Sequence, residues 1–432
     1  MRLLLHAAGA LAFGGWSLLA WQSRREGAAI LPILLAIIAV AWLALGTAWW
    51  AARHLRRVEV LRALWLWGVL FRVAGFLGAP ILEDDWARYL WDGREFALTG
   101  NPYGKAPAAH FGDAIVPGEF RRVLDEINHP QLPTIYGPGC QFAFVASYLM
   151  APARLWPLKL ILISADLLAV TLLLRLVSPR SVLLYAWCPL VVQETAFTAH
   201  PDVLWVLAVI AAMHALESER AARAAICCGL AVATKIFALL LVPFFLVRLA
   251  WKYSVLAAAT TIAIYLPFWL RGNAADFAGL RAMGRDWQFN ATVFAAIANA
   301  SSGEVARVIT LTAFAAIWLW LFIRWQRDTA ASTPRGDLVL GVFFLLSAVV
   351  NPWYLVGLAP FVALRPSAWG VAALAAVSLS YVHGLNINEP TLAPYEHPTW
   401  VRPTEGGIVL LGVALGVATR LGLFATTKRD RD

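Results

Sequence analysis

The sequence predicts an all-α polytopic membrane protein with about eleven to thirteen transmembrane helices. Hydrophobic residues make up 60% of the 432-residue chain and charged residues only 14%, whereas soluble domains carry about 25% charged residues. The mean hydropathy is +0.67. The 21 Trp residues are typical of a bundle with many helix ends at a membrane interface.

Apolar runs long enough to cross a bilayer, roughly 20 residues as a helix, recur along the chain. The run that ends at Trp21 resembles a signal peptide, but no small-residue cleavage site follows it, so we expect an uncleaved first helix. The candidate spans are 3–21, 28–50, 60–82, 136–153, 157–177, 181–196, 202–216, 222–249 (one long helix or two short ones), 253–270, 306–325, 337–349 extended to 363, 367–384 and 405–423.

The positions of Lys and Arg predict the orientation of the chain. These residues cluster in short connections near 51–62, 175–180, 217–223, 248–252 and 324–335. Basic connections tend to be cytoplasmic, so topology, and not nucleic-acid binding, explains the net charge of +9. Loop 83–135 is then expected to lie on the periplasmic or extracellular side of the membrane. Two complete crossings between 136 and 177 conflict with this rule, so we expect a half-helix there or one basic cluster outside.

The chain is expected to form a single integral membrane domain over 1–432. Helices fill 1–82, and a large outer loop, 83–135, separates the third and fourth helices. The remaining helices lie in 136–432, with further outer loops near 271–302 and 386–404. Four Cys residues lie in apolar runs and have no spacing typical of zinc or of a disulfide framework.

The acidic stretch that opens loop 83–135 is the first candidate for chemistry. Asp84 and Asp85 are adjacent carboxylates at a low-dielectric boundary, where repulsion raises one pKa and suits a general base. A helix over 85–95 would place Asp85, Arg88, Tyr89 and Asp92 on one face. The alternative is a solvated helix cap with surface ion pairs.

Four later features also have a functional and a structural interpretation. The Pro-rich run 127–138 predicts a rigid, non-helical approach to the next span. The cluster Glu194, His200 and Asp202 is costly between apolar runs unless it lines a cavity or pairs internally. Lys235 either snorkels to an interface or binds a lipid phosphate. The break at 351–354 either kinks a helix or lines a cavity.

The spaced residues of the first loop resemble a known family. The resemblance rests on Asp84-Asp85-x-x-Arg88-Tyr89-x-Trp91-Asp92-Gly93-Arg94, Gly100-Asn101-Pro102-Tyr103 and Ile127-Asn128-His129-Pro130-x-Leu132-Pro133-Thr134-Ile135-Tyr136. These motifs resemble bacterial GT-C glycosyltransferases, closest to polyprenyl-phosphate-sugar-dependent enzymes of the mannosyltransferase and family 87 type. Tyr136-Gly137-Pro138 departs from the Pro-Pro-like continuation of such relatives.

The resemblance implies an inverting transferase at the cell (inner or plasma) membrane with a periplasmic or extracellular active site. A hexose such as mannose would pass from a polyprenyl-phosphate donor to a glycan, lipid or protein acceptor. Asp84 and Asp85 occupy the catalytic positions, with Asp85 favoured as the base. Candidate donor-phosphate partners are Arg88, Lys235, Arg281 and Arg285. Candidates for sugar and acceptor contacts are Tyr89, Asp92, Asn101, Tyr103, His129, Tyr136, Glu194, His200, Asp202, Trp353 and Tyr354.

Two other classes compete with this interpretation. A secondary transporter would also have about twelve helices, but it often shows repeats that this chain lacks. An O-antigen ligase or polymerase places its large polar loop late in the chain, whereas here the loop is early. No cofactor is predicted. The lack of a compact ligand cluster argues against a required metal, and a bound divalent metal is left as an alternative.

Overall fold

The computed structural model describes residues 1–25, 29–271, 278–328, 333–387 and 389–421. Within these ranges the regular structure is helical, with one isolated parallel bridge between Phe289 and Val349. The predicted all-α polytopic membrane fold is therefore confirmed. Parts of the predicted outer loops, 272–277 and 388, lie outside the described residues.

Helices follow one another along the whole described chain. The first ten are α1 Arg2–Gln22, α2 Ile30–Ala52, α3 Arg57–Leu77, α4 Asp85–Thr99, α5 Gly118–Asp125, α6 Pro138–Met150, α7 Trp156–Leu176, α8 Pro179–Ala186, α9 Pro189–Val192 and α10 Asp202–Glu217. The others are α11 Ala221–Thr234, α12 Val242–Leu246, α13 Trp251–Trp269, α14 Ala278–Asp286, α15 Val293–Ala300, α16 Gly303–Arg327, α17 Gly336–Leu346, α18 Ala359–Leu364, α19 Ala368–Ala376, α20 Gly384–Ile387 and α21 Val401–Arg420.

Six of the described helices are long and apolar enough to cross a membrane: α1, α2, α3, α7, α16 and α21. Several other predicted spans are interrupted. The predicted span 181–196 is divided into α8, α9 and the π-helical turn Gln193–Phe197. Prolines begin α8 and α9, because proline fits the first turn of a helix and cannot continue the preceding one. The predicted span 222–249 is likewise α11, a 3₁₀ turn and α12.

Helix α6 resolves the conflict in the predicted topology. It has 13 residues and is about 20 Å long, too short for a hydrocarbon core of about 30 Å. It packs along α4, where Gly93 lets the backbones approach: an added Cβ would lie 2.4 Å from the Phe144 carbonyl oxygen. Segment 136–153 thus contains a helix too short to cross, which corresponds to the first of the two predicted solutions. The start of α7 lies beside the end of α3, because the Lys159 ammonium donates to the Gly75 and Gly78 carbonyls at 3.0 and 2.7 Å.

The two ends of the bundle differ in character. At one end the basic connections meet, since Arg180 donates to the Trp49 carbonyl at 3.1 Å and Arg365 to the Thr333 carbonyl at 2.8 Å. At the other end the polar loops meet. Asn128 donates to the Tyr395 hydroxyl at 2.9 Å. The His129 and Trp287 rings lie 4.5 Å apart. The described parts of the predicted outer loops 83–135, 271–302 and 386–404 therefore contact one another.

A buried ion pair joins the helices beneath this polar end. Arg72 of α3 and Asp166 of α7 are 1% and 0% exposed, and Nε lies 2.7 Å from Oδ2. The guanidinium also donates to the carbonyls of Gly68 and Ala186. These bonds tie α3, α7 and α8 together below the chain segment that leads to Glu83.

We predict that Arg72→Met destabilises the protein by about 3–5 kcal/mol, because it leaves the Asp166 carboxylate buried without its partner. Thermal unfolding in detergent measures the loss. The double variant Arg72→Met/Asp166→Leu should recover most of it, since no uncompensated charge remains. A double variant no more stable than the single one would show that the pair is not the cause.

Candidate active site

Helix α4 positions the acidic pair at the polar end of the bundle. It begins at Asp85 and ends at Thr99, and it is capped by Gly100, whose φ of 71° is in the left-handed region. Its apolar face, with Leu90 and Trp91, packs against Phe120 of α5. The opposite face carries the predicted polar side chains and faces segment 128–141.

Two of those polar residues fasten segment 128–141 to α4. The Arg88 guanidinium donates to the carbonyls of His129 and Leu132, each at 3.0 Å. Asp92 is 1% exposed and accepts from Gln141 Nε2 at 3.0 Å. The segment is non-helical up to Pro138, as predicted. These bonds fix the position of Tyr136 relative to Asp85.

Asp85 is the partly exposed member of this polar face, whereas Arg88, Tyr89 and Asp92 are buried. Its side chain is 26% exposed, and Oδ2 accepts a hydrogen bond of 2.8 Å from the Tyr136 hydroxyl. The Tyr89 hydroxyl lies 3.5 Å from the same oxygen. Among the described residues none donates to Oδ1, so that oxygen is available to a substrate hydroxyl.

A buried chain of polar groups continues inward from Asp85. The Tyr89 hydroxyl lies 3.0 Å from His200 Nδ1, and His200 Nε2 lies 3.6 Å from Glu194 Oε2. Trp353 stacks on the His200 ring with centroids 4.0 Å apart. Tyr381 donates to Glu194 Oε1 at 2.6 Å. The imidazole is therefore held by the Tyr89 hydroxyl at Nδ1 and by the Trp353 ring, whereas Nε2 has no hydrogen-bond partner among the described residues.

Lys235 brings a positive charge to the same place. Its ammonium lies 2.6 Å from Asp202 Oδ1, and the side chains are 17% and 1% exposed. It also lies 4.4 Å from the centre of the Tyr354 ring. The Lys235 charge lowers the pKa of Asp85, so the cation and the carboxylate act on each other. The Lys235 ammonium is thus paired with Asp202 and lies within electrostatic range of Asp85.

The electrostatics of the acidic stretch follow from burial. Burial, together with the Asp85 charge, raises the pKa of Asp84 to about 6, against a hydrogen bond from Asn128 that lowers it. Burial also raises the pKa of Asp85, which the Tyr136 hydrogen bond lowers in turn. The pKa of Glu83 is raised well above its usual value by burial and by Asp85. The carboxyls therefore differ in their readiness to ionise.

Three of the six described non-glycine residues with positive φ lie close in sequence to these groups. Leu82, His129 and Ala199 have φ angles of 59°, 48° and 61°. Non-glycine residues in this region cost of order 1–3 kcal/mol each and cluster at functional sites. The π-helical turn Gln193–Phe197, also common at functional sites, precedes Ala199.

Of the other predicted site residues, Tyr103 contacts this cluster through the backbone of Tyr136, whereas Asn101, Arg281 and Arg285 make no recorded contact with it. Asn101 Oδ1 accepts from the Tyr103 amide at 3.0 Å, which closes a turn. The Tyr103 hydroxyl donates to the Tyr136 carbonyl at 2.9 Å. Arg281 and Arg285 are exposed on α14, and Arg285 lies 3.4 Å from Asp286. No group of three His, Cys, Asp or Glu side chains in the described ranges is arranged to hold a metal ion.

Two residues of the site were not predicted from the sequence. Gln141 joins Asp92 to Thr134, 3.1 Å from its Nε2, and Tyr381 holds Glu194. Both lie within apolar runs that read as membrane spans. A lone Gln in such a run could have indicated a buried polar contact, because a buried amide needs hydrogen-bond partners. A Tyr is too common in membrane helices to indicate one.

Comparison with known proteins identifies the class. A helical multi-pass membrane protein with an acidic pair and a cation at one end of its bundle is consistent with an enzyme that acts at the membrane surface. The chain belongs to glycosyltransferase family 87, whose family model matches residues 135–352. No curated protein and no solved structure matches the chain.

Family membership establishes the chain as a glycosyltransferase, in preference to a transporter. The matched region contains Tyr136, Glu194, His200, Asp202 and Lys235. It begins after α4, so Asp84 and Asp85 lie outside it. Their assignment depends on the geometry of the site.

We predict that Tyr136→Phe moves the acid limb of the pH–rate profile to higher pH. The Tyr136 hydroxyl stabilises the charged form of Asp85, so its removal raises the pKa of Asp85. A base must be ionised to act, and a higher pKa delays ionisation to higher pH. The acid limb of kcat/KM measures this shift. Tyr103→Phe is the control, since its hydroxyl does not contact Asp85; an unchanged limb in Tyr136→Phe would contradict the assignment.

Proposed function

We propose that the protein transfers a hexose, such as mannose, from a polyprenyl-phosphate donor to an acceptor hydroxyl at the outer face of the cell membrane, with inversion. The observation that carries this proposal is the Asp85 carboxylate, which is held on one oxygen by Tyr136, is partly exposed and lies within electrostatic range of Lys235. A glycan, a lipid or a protein could supply the acceptor hydroxyl.

Asp85 acts as the general base in this proposal. The acceptor oxygen attacks the anomeric carbon from the face opposite the phosphate, and the bond from that carbon to the phosphate oxygen breaks. The electron pair of that bond leaves with polyprenyl phosphate. The hydroxyl proton passes to Asp85. A raised pKa makes Asp85 a better proton acceptor than an ordinary surface carboxylate. Asp84, whose pKa is raised to about 6, would orient the acceptor.

Lys235 is the best-placed of the proposed phosphate partners. Its ammonium lies within electrostatic range of Asp85, and a second anion near it would be stabilised in a partly desolvated setting. Arg88 directs three donors to backbone carbonyls. Arg281 and Arg285 lie on the surface helix α14. A phosphate at Lys235 would keep the polyprenyl tail in the bilayer, with the sugar facing Asp85.

We predict that Asp85→Asn lowers transfer from a polyprenyl-phosphate [¹⁴C]hexose by about 10²–10⁴-fold while the protein still inserts into the membrane, because the amide cannot accept the proton. The matched control is Asp125→Asn, an exposed acid on α5 in the same loop. Near-normal transfer by Asp85→Asn, with both variants present at equal levels, would exclude Asp85 as the base.

The proposed orientation has a test independent of activity. Ile115 is 84% exposed at the polar end, and Trp251 is 79% exposed among the basic connections. In intact cells, a membrane-impermeant maleimide should label Ile115→Cys and leave Trp251→Cys unlabelled until the membrane is opened. The parent chain carries four Cys residues and serves as the background. The reverse pattern would place the acidic pair in the cytoplasm.

A further inference from the structure

The connection between α1 and α2 carries two arginines at the polar end of the bundle. Arg24 and Arg25 come directly after α1. Arg24 Nε donates to the carbonyl of Leu77, the last residue of α3, and the Ala79 amide donates to the Ser23 hydroxyl at 2.9 Å. Basic residues of a membrane protein tend to lie on the cytoplasmic side, whereas these two lie at the end that carries the acidic pair. Their position therefore calls for another explanation than topology.

Lys159 adds a buried positive charge beside the two arginines. It lies in the first turn of α7 and is 2% exposed, and the Arg24 charge is within electrostatic range of its ammonium. Among the described residues, no carboxylate forms an ion pair with any of these three cations. One acid follows Arg25 in the sequence, at position 26 outside the described residues. The group therefore keeps an excess of positive charge.

A cavity of about 140 Å³ lies between the α1–α2 connection and the segment that follows α3. Gln22, Ser23 and Arg25 line it from one side, and residues 80–82 line it from the other. A water molecule takes up about 30 Å³ of liquid, so the cavity has room for a group the size of a phosphate but not for a whole lipid.

Exposed apolar side chains adjoin the arginines on the side of the helices. Trp21 is exposed, and its ring centre lies 4.3 Å from the Arg25 guanidinium. Leu77, whose carbonyl Arg24 binds, is also exposed, as is Leu18, one helical turn before Trp21 on α1. A ligand held by the cations would therefore have its apolar part against these side chains. A phosphate that carries acyl chains matches this arrangement.

We infer that Arg24, Arg25 and Lys159, with the adjoining cavity, form a binding site for the phosphate of an anionic phospholipid. Guanidinium groups bind phosphate oxygens through strong, charge-assisted hydrogen bonds, and Lys159 adds attraction from its place at the end of α3. A zwitterionic head group fits less well, because its ammonium group would meet three cations. Snorkelling explains two exposed guanidiniums, but neither the buried third cation nor the cavity.

The bound phospholipid would join the ends of α1 and α3, from which the chain runs into the acidic stretch. It is distinct from the sugar donor, whose phosphate the proposed function assigns to Lys235. The inference concerns lipid binding alone and does not depend on the proposed function.

The test locates the lipid by hydrogen–deuterium exchange in nanodiscs of phosphatidylcholine, with or without phosphatidylglycerol. We expect phosphatidylglycerol to slow exchange of the amides in 22–25 and 78–82 by about tenfold, because a ligand that binds the closed state opposes local opening. Arg24→Gln/Arg25→Gln should abolish this difference. The matched control is Arg121→Gln/Arg122→Gln, which removes two adjacent arginines from α5 at the same end and should retain it.

A second measurement separates binding from folding. In detergent, phosphatidylglycerol should raise the thermal unfolding temperature of the parent, whereas phosphatidylcholine and inorganic phosphate should not. Arg25→Gln alone should unfold at the parent's temperature without lipid and weaken the apparent affinity for phosphatidylglycerol about tenfold.

Two results would overturn the inference: equal effects of phosphatidylglycerol and phosphatidylcholine, or an exchange difference that persists in Arg24→Gln/Arg25→Gln. A response to inorganic phosphate without one to phosphatidylglycerol would also overturn it, since the cations would then bind a free anion. Because neither measurement involves sugar transfer, such results would leave the proposed function untouched.

Discussion

The hydrogen bond from Tyr136 to Asp85 is the interaction on which the site depends. A carboxylate at the end of an apolar bundle is costly to ionise, because little water solvates it. One well-placed hydroxyl lowers that cost and leaves the other oxygen free to meet a substrate. The rest of the outer loop serves this contact: Arg88 and Asp92 attach segment 128–141 to α4, and Gly93 lets α6 approach closely enough for Gln141 to complete the attachment.

The need to bring polar groups together at the end of an apolar bundle also explains the irregular helices around the site. Regular membrane helices satisfy their own backbone but present only side chains to a ligand. Here α9 and the π-helical turn Gln193–Phe197 replace a continuous span, and the strained Ala199 directs His200 toward Tyr89. Lys235 likewise lies where α11 ends. The long helices α1, α2, α3 and α7 stay regular, because they carry the packing and no part of the site. Chemistry at a membrane surface thus requires broken spans next to intact ones.

Much of this architecture follows from the sequence, for physical reasons. Hydropathy predicts the membrane spans, and the polar α4 follows from the spacing of Asp85, Arg88, Tyr89 and Asp92. A half-helix between 136 and 177 was one of two ways to reconcile the positions of the basic clusters with the predicted spans. The 13 residues of α6 are too few to cross a membrane and favour that solution. The sequence could not predict that Arg88 binds backbone carbonyls, because a carbonyl partner has no sequence signature. Nor could it predict Tyr381 beside Glu194, since 187 residues separate them.

The most direct test of the central claim, a base at Asp85 facing a donor phosphate at Lys235, is structural. The measurement is a cryo-EM structure of Asp85→Asn with an intact polyprenyl-phosphate hexose bound. The account predicts the phosphate at the Lys235 ammonium and the anomeric carbon facing position 85, with room between them for an acceptor hydroxyl. A phosphate bound at Arg281 and Arg285, with the sugar directed away from position 85, would contradict it.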